Sequence, residues 1–258
     1  MSAVNYKERM TRRHYDEHPL EFLTEANERQ IRDIQPAPFL RFVEDLLPPG
    51  ARVADIGCGP GRGTMFLSAR GYQVIALDIS ETSIGLARKR APLAAFVNGS
   101  NLALPFGNAI FDAVVSDGVI HHTPDARKSF RENARILKPG GKLYLGVYNR
   151  KRYYYYLYTY VGRPIRWMAR HRAGRLALRT TLLPVYYLIH LFKSGGTRSW
   201  TGAENFFYDY FITPQASFHT RAEVEAWGEA EGLHLHSYDP SLGNIHVFVF
   251  EKRTGVAR

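Results

Sequence analysis

Cysteine is almost absent from this sequence of 258 residues, and Cys58 is the only one. A single cysteine excludes an intrachain disulfide, which suits a reducing compartment. Long apolar runs are also lacking: the longest is Leu182–Phe192, eleven residues that include a proline, which is too short to span a bilayer. The first residues are charged and lack the apolar segment of a signal peptide. We therefore expect a cytoplasmic protein.

Acidic residues are missing from one long stretch of the chain. Between Arg150 and Ala203 there are eleven Lys and Arg residues and no Asp or Glu. The resulting +11 exceeds the net charge of +10 of the whole chain, so the remainder is close to neutral. Such localised charge favours an anionic partner. Clusters of His, Cys, Asp and Glu with metal-ligand spacing are lacking too, so we expect no metal.

Strand and helix signals alternate from Ala51 to Tyr148, stop, and resume at Thr220. This alternation predicts an α/β fold in which helices cover both faces of a mostly parallel sheet. Two strand signals after the helix that begins at Thr220 predict an antiparallel final strand. We expect N-terminal helices over residues 1–47, a core over 48–149, a helical insert over 150–218 and the rest of the core over 219–258.

A glycine-rich loop lies between the first strand and the next helix, in the sequence Asp55–Gly61. Gly57, Gly59 and Gly61 allow the backbone to turn tightly and approach a ligand. Their G-x-G-x-G spacing differs from the G-x-G-x-x-G of dinucleotide sites, and Arg62 occupies the sixth position. Asp78 ends the next strand, where a carboxylate can accept both ribose hydroxyls. The pattern indicates an aminoacyl-nucleoside such as S-adenosylmethionine (SAM).

The chain resembles the class I SAM-dependent methyltransferases, in the small-molecule branch related to the ubiquinone and sterol enzymes. The resemblance rests on six motifs: Asp55–Gly61, Asp78–Ser80, Leu104–Phe106, Phe111-Asp112, Gly118–His122 and Leu137–Gly141. It implies a Rossmann-like seven-stranded sheet with SAM as the cofactor. It also implies that Asp55 and the glycines hold the methionine part, Asp78 the ribose and Ile79 the adenine, with Ser116 beside the methionine backbone.

One position departs from the family pattern. Many members carry an aspartate at the adenine edge, before the Leu104–Phe106 motif, where this chain has Ser100 followed by Asn101. A hydroxyl still accepts a hydrogen bond from the adenine amino group, but as a neutral and weaker partner. We expect this pair to meet the adenine and the affinity for SAM to be lower.

Candidate catalytic groups follow the fourth strand. Methyl transfer needs alignment and exclusion of water, and it needs a base only when the nucleophile arrives protonated. His121 and His122 are candidates because histidine titrates near neutrality. Asp209 can orient a histidine or an acceptor hydroxyl. Tyr15 lies on an N-terminal helix of the kind that closes over SAM in the family.

The insert combines arginines with six tyrosines between Tyr153 and Tyr160. Three readings are open: a core for the insert itself, an apolar acceptor cavity rimmed by arginines, or an amphipathic basic surface for peripheral membrane contact. We favour an acceptor-binding cap in which Tyr153, Arg163 and Arg166 contact the acceptor.

These observations predict a SAM-dependent methyltransferase that acts on carbon or oxygen of a small amphiphilic, anionic acceptor, as in isoprenoid, polyketide or other natural-product biosynthesis. The alternatives are an RNA (tRNA) methyltransferase and a non-catalytic SAM-binding partner subunit. A basic aromatic insert can hold phosphates and stack unpaired bases, although no known nucleic-acid-binding motif accompanies it. The sequence leaves the oligomeric state open.

Overall fold

A seven-stranded sheet forms the centre of the protein, in a computed structural model that describes residues 3–19, 28–193, 199–240 and 243–255. The strands are β1 (Arg52–Ile56), β2 (Gln73–Asp78), β3 (Ala95–Asn98), β4 (Phe111–Asp117), β5 (Leu137–Tyr148), β6 (Leu233–Asp239) and β7 (Ile245–Lys252). Their order across the sheet is β3-β2-β1-β4-β5-β7-β6. Strand β7 is antiparallel to both of its neighbours, and the remaining pairs are parallel. The predicted Rossmann-like α/β fold with an antiparallel final strand is confirmed.

Strand β5 begins earlier than the sequence predicts. The sequence predicts a turn over Lys138–Gly141 and a strand only from Lys142, yet Leu137 already pairs with Phe111 on β4. The next partners are Ala113 and Lys142, so the extra residues of β5 form a bulge. Gly140 has a φ of 75° in this bulge, a conformation that suits glycine. Proline and glycine here interrupt the ladder without ending the strand.

Twelve α-helices are found in the described part of the chain. They are α1 (Ala3–Glu17), α2 (Glu28–Asp33), α3 (Ala37–Leu46), α4 (Arg62–Ala69), α5 (Glu81–Arg90), α6 (Ala126–Ile136), α7 (Tyr153–Tyr156), α8 (Gly162–Ala169), α9 (Arg172–Thr180), α10 (Leu182–Lys193), α11 (Trp200–Phe207) and α12 (Arg221–Ala230). Two π-helical segments, Leu157–Val161 and Tyr208–Ile212, extend α7 and α11. Thr220 and Glu223 form the predicted capping box of α12, which satisfies two backbone donors reciprocally. None of these helices is both long and apolar enough to cross a membrane.

Each face of the sheet carries its own apolar core. On one face Phe39, Phe42 and Phe66 from α3 and α4 pack with Tyr144 of β5. On the other face, aromatic contacts join α6 and α12 to β7. Each fully buried phenylalanine stabilises the fold by about 1.5–3 kcal/mol through the hydrophobic effect. These two cores hold the carboxyl ends of the parallel strands at one edge.

The N-terminal segment is not a single lid. Phe39, Phe42 and Val43 of α3 are buried in the core cluster, as is Ile31 of α2. Helices α2 and α3, within the N-terminal helices expected over residues 1–47, therefore pack on the core, because their apolar faces cover the sheet. Helix α1 and the start of α3 border the cavity at the carboxyl edge, and residues 1–2 and 20–27 are outside the described part.

The insert leaves and re-enters the core at one point. Asn149 and His219 form an isolated parallel bridge, in which the backbone N–H of His219 donates to Tyr148 and that of Arg150 to His219. The insert has its own small core, built around Ile165, Leu178, Leu183 and Phe207. A second cluster joins it to the sheet through the aromatic residues Tyr148, Tyr154, Tyr158 and Phe218. Residues 194–198 of the insert lie outside the description.

Candidate active site

A cavity of about 490 Å³ opens at the carboxyl ends of the central parallel strands. It is lined by α1, the loops after β1, β2, β3 and β4, the end of β5, the start of β7 with the residues before it, and the Phe206–Tyr210 stretch of the insert. Small-molecule sites typically span about 300–1,000 Å³. The cavity thus has the size of a small-molecule site.

Two of the three loop glycines face this cavity. Gly57 and Gly59 line it with φ angles of 75° and 52°. A Cβ atom on Gly57 would lie 2.3 Å from the side chain of Val119, whereas one on Gly59 would meet no atom within 4 Å. Gly61 is different: it caps α4, does not line the cavity, and a Cβ there would lie 2.9 Å from Ala87. Gly61 therefore serves the packing of α4 against α5.

Asp78 holds the glycine loop and faces the cavity. Its carboxylate accepts hydrogen bonds from the backbone N–H of Gly59 at 2.8 Å and of Ser80 at 2.8 Å. Burial raises the pKa of Asp78, and these N–H donors oppose that effect. Ile79 lines the cavity beside it. The arrangement leaves a fixed acceptor and an apolar wall at the end of β2.

Asp55 lies beneath the loop rather than on the main cavity wall. Its Oδ2 accepts from the Thr64 hydroxyl at 2.6 Å, and burial raises its pKa to about 6. It borders a smaller adjoining space of about 50 Å³ together with Arg62 and Asp117. Arg62 pairs with Asp117 at 2.7 Å. From the sequence, Arg62 served only to exclude a dinucleotide and Asp117 was not predicted, although both directly neighbour the recognised motifs.

The predicted adenine edge receives a carboxylate from α1. The Ser100 hydroxyl donates a hydrogen bond to Glu8, and Glu8 lines the cavity. Asn101 also lines it, and its side-chain amide has no hydrogen-bond partner among the described residues. Ser100 itself is not part of the cavity wall. An acidic group thus stands near the position where the family pattern has one, but it comes from a different segment.

Ser116 is fully buried on β4 behind the wall. Its hydroxyl has no partner within the described ranges. Its neighbour Asp117 reaches the cavity instead. The structure therefore does not bring the Ser116 side chain to the ligand space.

Helix α1 roofs the cavity through polar contacts to three segments. Asp16 accepts from the Ser80 hydroxyl at 2.7 Å and from the Thr82 N–H at 3.4 Å. The Thr11 hydroxyl accepts from the Gln215 amide at 3.2 Å. These contacts hold α1 over the cavity. This geometry suits a lid.

The other end of the cavity holds a cluster of residues from three distant segments. The Tyr15 hydroxyl donates to Oδ1 of Asp209 at 3.3 Å, and the Tyr15 ring contacts the His122 ring edge-on with centroids 5.9 Å apart. Asp209 is buried, which raises its pKa, and the nearby His122 opposes that rise. Burial likewise raises the pKa of Tyr15, which stays protonated as a donor.

The two histidines after β4 carry their ring proton on different nitrogen atoms. Nδ1 of His122 lies 3.0 Å from the Gln215 carbonyl, which can only accept, so Nδ1 carries the proton and Nε2 keeps a lone pair. Nδ1 of His121 accepts from the Tyr148 N–H at 3.3 Å, so its proton sits on Nε2. That Nε2 is buried and has no partner among the described residues. Burial lowers the pKa of both rings, which keeps them neutral near pH 7.

Three predicted acceptor residues lie away from the cavity. Tyr153 is 64% exposed and Arg163 is exposed, and neither lines the cavity. Arg166 stacks on the Tyr158 ring at 3.8 Å and donates to the carbonyls of Tyr158 and Phe211. The structure therefore does not bring these three residues together with the residues of this cavity, because Arg166 packs within the insert and the other two are exposed.

Tyr148, Tyr210 and Asn244 line the cavity and were missed by the sequence analysis. The Asn244 amide donates to the Tyr210 hydroxyl at 2.8 Å, and the Tyr148 ring stacks on His121 with centroids 3.7 Å apart. The position of Tyr148 at the end of a core strand was the available signal. Nothing in the sequence singled out Asn244, which directly precedes β7.

The residues present fit an aminoacyl-nucleoside. A buried carboxylate and an apolar side chain meet at the end of β2, the glycine loop leaves room above Gly59, and acidic groups border the space beneath it. A carboxylate and an unpartnered amide stand at the adenine edge. Every part of such a ligand thus has a chemically suited neighbour.

Comparisons with known proteins also indicate a methyltransferase domain. Residues 54–145 match the family model described as a methyltransferase domain. Over 101 residues the chain is 34% identical to a demethylmenaquinone methyltransferase of Renibacterium salmoninarum, which covers 39% of this chain and 43% of that protein. Over 111 residues it is 38% identical to a probable tRNA methyltransferase 9B of Mus musculus, covering 42% and 24%.

The fold is shared with a solved structure of 1,6-didemethyltoxoflavin-N1-methyltransferase from Burkholderia thailandensis, with bound 1,6-didemethyltoxoflavin and S-adenosylhomocysteine. That structure is 16% identical, has a TM-score of 0.59 and matches 98% of this chain and 92% of its own. The matches to curated relatives span less than half of the length of each relative.

Proposed function

We propose that this chain transfers the methyl group of SAM to a small amphiphilic acceptor that carries a hydroxyl group, because residues 54–145 match the family model of a methyltransferase domain. The acceptor reacts at that oxygen, or at a carbon activated by it as in a phenol or enol. The observation that carries the proposal is the cluster of Tyr15, His122 and Asp209 in the same cavity as Gly59 and Asp78.

The cofactor half of the cavity would hold SAM through groups already fixed by the fold. Asp78 would accept from the ribose hydroxyls with the lone pairs that the N–H donors of Gly59 and Ser80 leave free. Ile79 would pack on the adenine. Glu8 would accept from the adenine amino group, replacing the aspartate that position 100 lacks. Because Glu8 belongs to α1, closure of this helix and cofactor binding would favour each other.

The acceptor half has one group suited to accept a proton. When bound, SAM supplies an electrophilic methyl group. His122 would take the proton of the acceptor hydroxyl on Nε2, because its Nδ1–H is held by the Gln215 carbonyl. Asp209 would stabilise the imidazolium that forms, since its charge raises the pKa of His122. His121 would donate its unpartnered Nε2–H to the acceptor oxygen.

The walls of this half favour an aromatic or otherwise apolar body on the acceptor. Tyr148, Phe206 and Tyr210 line it, and the described Lys and Arg residues do not, apart from Arg62 at the cofactor end. The basic charge of the insert therefore lies outside the reacting end. We accordingly drop the negative charge from the acceptor that the sequence predicted and keep its amphiphilic character.

Incubation with methyl-labelled SAM and a fractionated cell extract tests the proposal. We expect label to enter the solvent-extractable small molecules and to be lost in His122→Asn, whose amide keeps the Gln215 contact but offers no base. SAM binding by calorimetry should stay unchanged in this variant. His234→Asn, an exposed position on β6, is the matched control. Label that entered only RNA, or no fraction at all, would contradict the proposal.

A further inference from the structure

Exposed apolar side chains are concentrated on the insert. Of the fifteen large apolar residues exposed in the described part of the chain, twelve lie between positions 153 and 200. They are Tyr153, Tyr156, Tyr160, Val161, Trp167, Leu176, Leu182, Val185, Leu188, Ile189, Phe192 and Trp200. Single exposed apolar residues are normal, but a group of this size marks an interaction site.

The apolar side chains of α10 illustrate the arrangement. Leu182, Val185, Ile189 and Phe192 recur at helical spacing and are exposed, whereas Leu183 is buried in the core of the insert. Helices α8 and α9 likewise bury Ile165 and Leu178 in that core. We call the exposed side chains of α8, α9 and α10 the outer face. These exposed side chains include many apolar ones, although each helix already buries an apolar side chain in the core of the insert.

The outer face is also positively charged. Arg163, Arg170 and Arg172 are exposed, and none forms an ion pair with an acidic residue in the described ranges. Arg179 is 3.8 Å from Glu204, which lies just beyond the acid-free stretch. These cations flank Trp167 and Leu176, so apolar and basic groups alternate over α8 and α9. Such a mixture characterises helices that lie in the interface of an anionic lipid membrane.

We propose that the outer face docks on the surface of a membrane that contains anionic lipids. Its aliphatic side chains enter the headgroup boundary, and its arginines contact the lipid phosphates. An RNA partner explains the arginines but gives Leu182, Val185 and Ile189 nothing to contact, because bases stack on aromatic groups. A second copy of the chain would bring two positive faces together.

Docking would place the enzyme where an amphiphile is concentrated. The C-terminal end of the insert, Phe206–Tyr210, lines the acceptor half of the cavity. The same insert therefore joins the docking surface to the reacting end. This link rests on the proposed function, whereas the docking itself does not.

Flotation with lipid vesicles tests the docking on the full chain. Vesicles of phosphatidylcholine alone are compared with vesicles in which one quarter is phosphatidylglycerol. We expect binding to the anionic vesicles that weakens as salt is added. Arg170→Gln with Arg172→Gln should weaken it roughly tenfold to thirtyfold, at about 1 kcal/mol for each basic residue at the surface. Leu188→Gln with Phe192→Gln should weaken it comparably.

The control variants carry the same types of substitution at exposed positions outside the insert. Leu93 is 86% exposed and Arg88 is exposed on α5, so Leu93→Gln and Arg88→Gln should leave vesicle binding unchanged. Equal losses in the controls, equal binding to neutral vesicles, or tRNA binding at physiological salt without vesicle binding would each overturn the proposal. Calorimetric SAM binding, measured on the same proteins, separates this outcome from a failure of the proposed function.

Discussion

Replacing Glu8 with glutamine tests whether the lid helix supplies the acidic partner of the adenine. Glu8 lines the cavity and accepts from the Ser100 hydroxyl. A hydrogen bond to a charged group contributes about 1.5–3 kcal/mol and a neutral one about 0.5–1.5 kcal/mol. Because Glu8 is only half-buried, we take the difference near its lower end, about 1 kcal/mol, which predicts a roughly fivefold higher Kd for SAM.

A substitution that places a carboxylate at position 100 makes the test more specific. Ser100→Asp alone would place two acids side by side, and their repulsion should raise the Kd by about fivefold or more, since like charges about 4 Å apart repel by about 1–4 kcal/mol between water and the protein surface. Glu8→Gln combined with Ser100→Asp restores one acid and one neutral partner. The double variant should therefore bind SAM within a few-fold of the parent chain.

Isothermal titration calorimetry with SAM measures all three variants, with Glu229→Gln, an exposed change on α12, as the control. The reasoning fails if Glu8→Gln binds SAM as tightly as the parent. It fails equally if the double variant is as weak as Ser100→Asp or weaker, because removing the charge of Glu8 would then not relieve the repulsion.

Further consequences concern pH, packing and metals. Burial, followed by the charges of His18 and His122, lowers the pKa of His14 to about 3. The unfolded chain therefore binds the proton first, and the free energy of unfolding should fall as the pH drops below 6.5, by at most about 2 kcal/mol from this residue at pH 5. Thermal melts of His14→Gln should show a flatter pH dependence. Asp209→Asn should lower the pKa of His122 further, since the charge of Asp209 raises it; an unchanged imidazole titration by NMR would remove Asp209 from the site. Gly61→Ala, at a φ of 91° and against Ala87, should lower the free energy of unfolding in urea by about 1–3 kcal/mol, whereas Gly85→Ala in the open should not lower it. A chelator should leave SAM binding and methyl transfer unchanged, and rescue by added magnesium would refute this.

The cofactor half was predictable because its signals are local. The glycine loop and Asp78 sit at the ends of consecutive strands, and parallel pairing brings those ends together. Each of these residues can be recognised within a few positions of the chain. Gly61 shows the limit, since the same motif contains one glycine that serves helix packing rather than the ligand.

The acceptor half was predictable only in part, because the composition of a segment does not show which way its side chains point. Tyr15 and Asp209 are 194 positions apart, and only the docking of α1 onto the insert joins them. The count of eleven cations gave the right charge for the insert but not its orientation: Arg163 points outward and Arg166 is bound by carbonyls of the insert. Glu8 belongs to no recognisable sequence motif.

The bridge between Asn149 and His219 makes the insert an exchangeable module. Its two ends meet at one point of the sheet, and the entropy needed to close a loop grows only slowly with loop length. Segments of very different length and sequence can therefore be grafted between β5 and α12 while the strands that position the cofactor keep their pairing. Transplanting residues 150–218 between relatives would then carry the acceptor wall with it and leave the glycine loop and Asp78 in place.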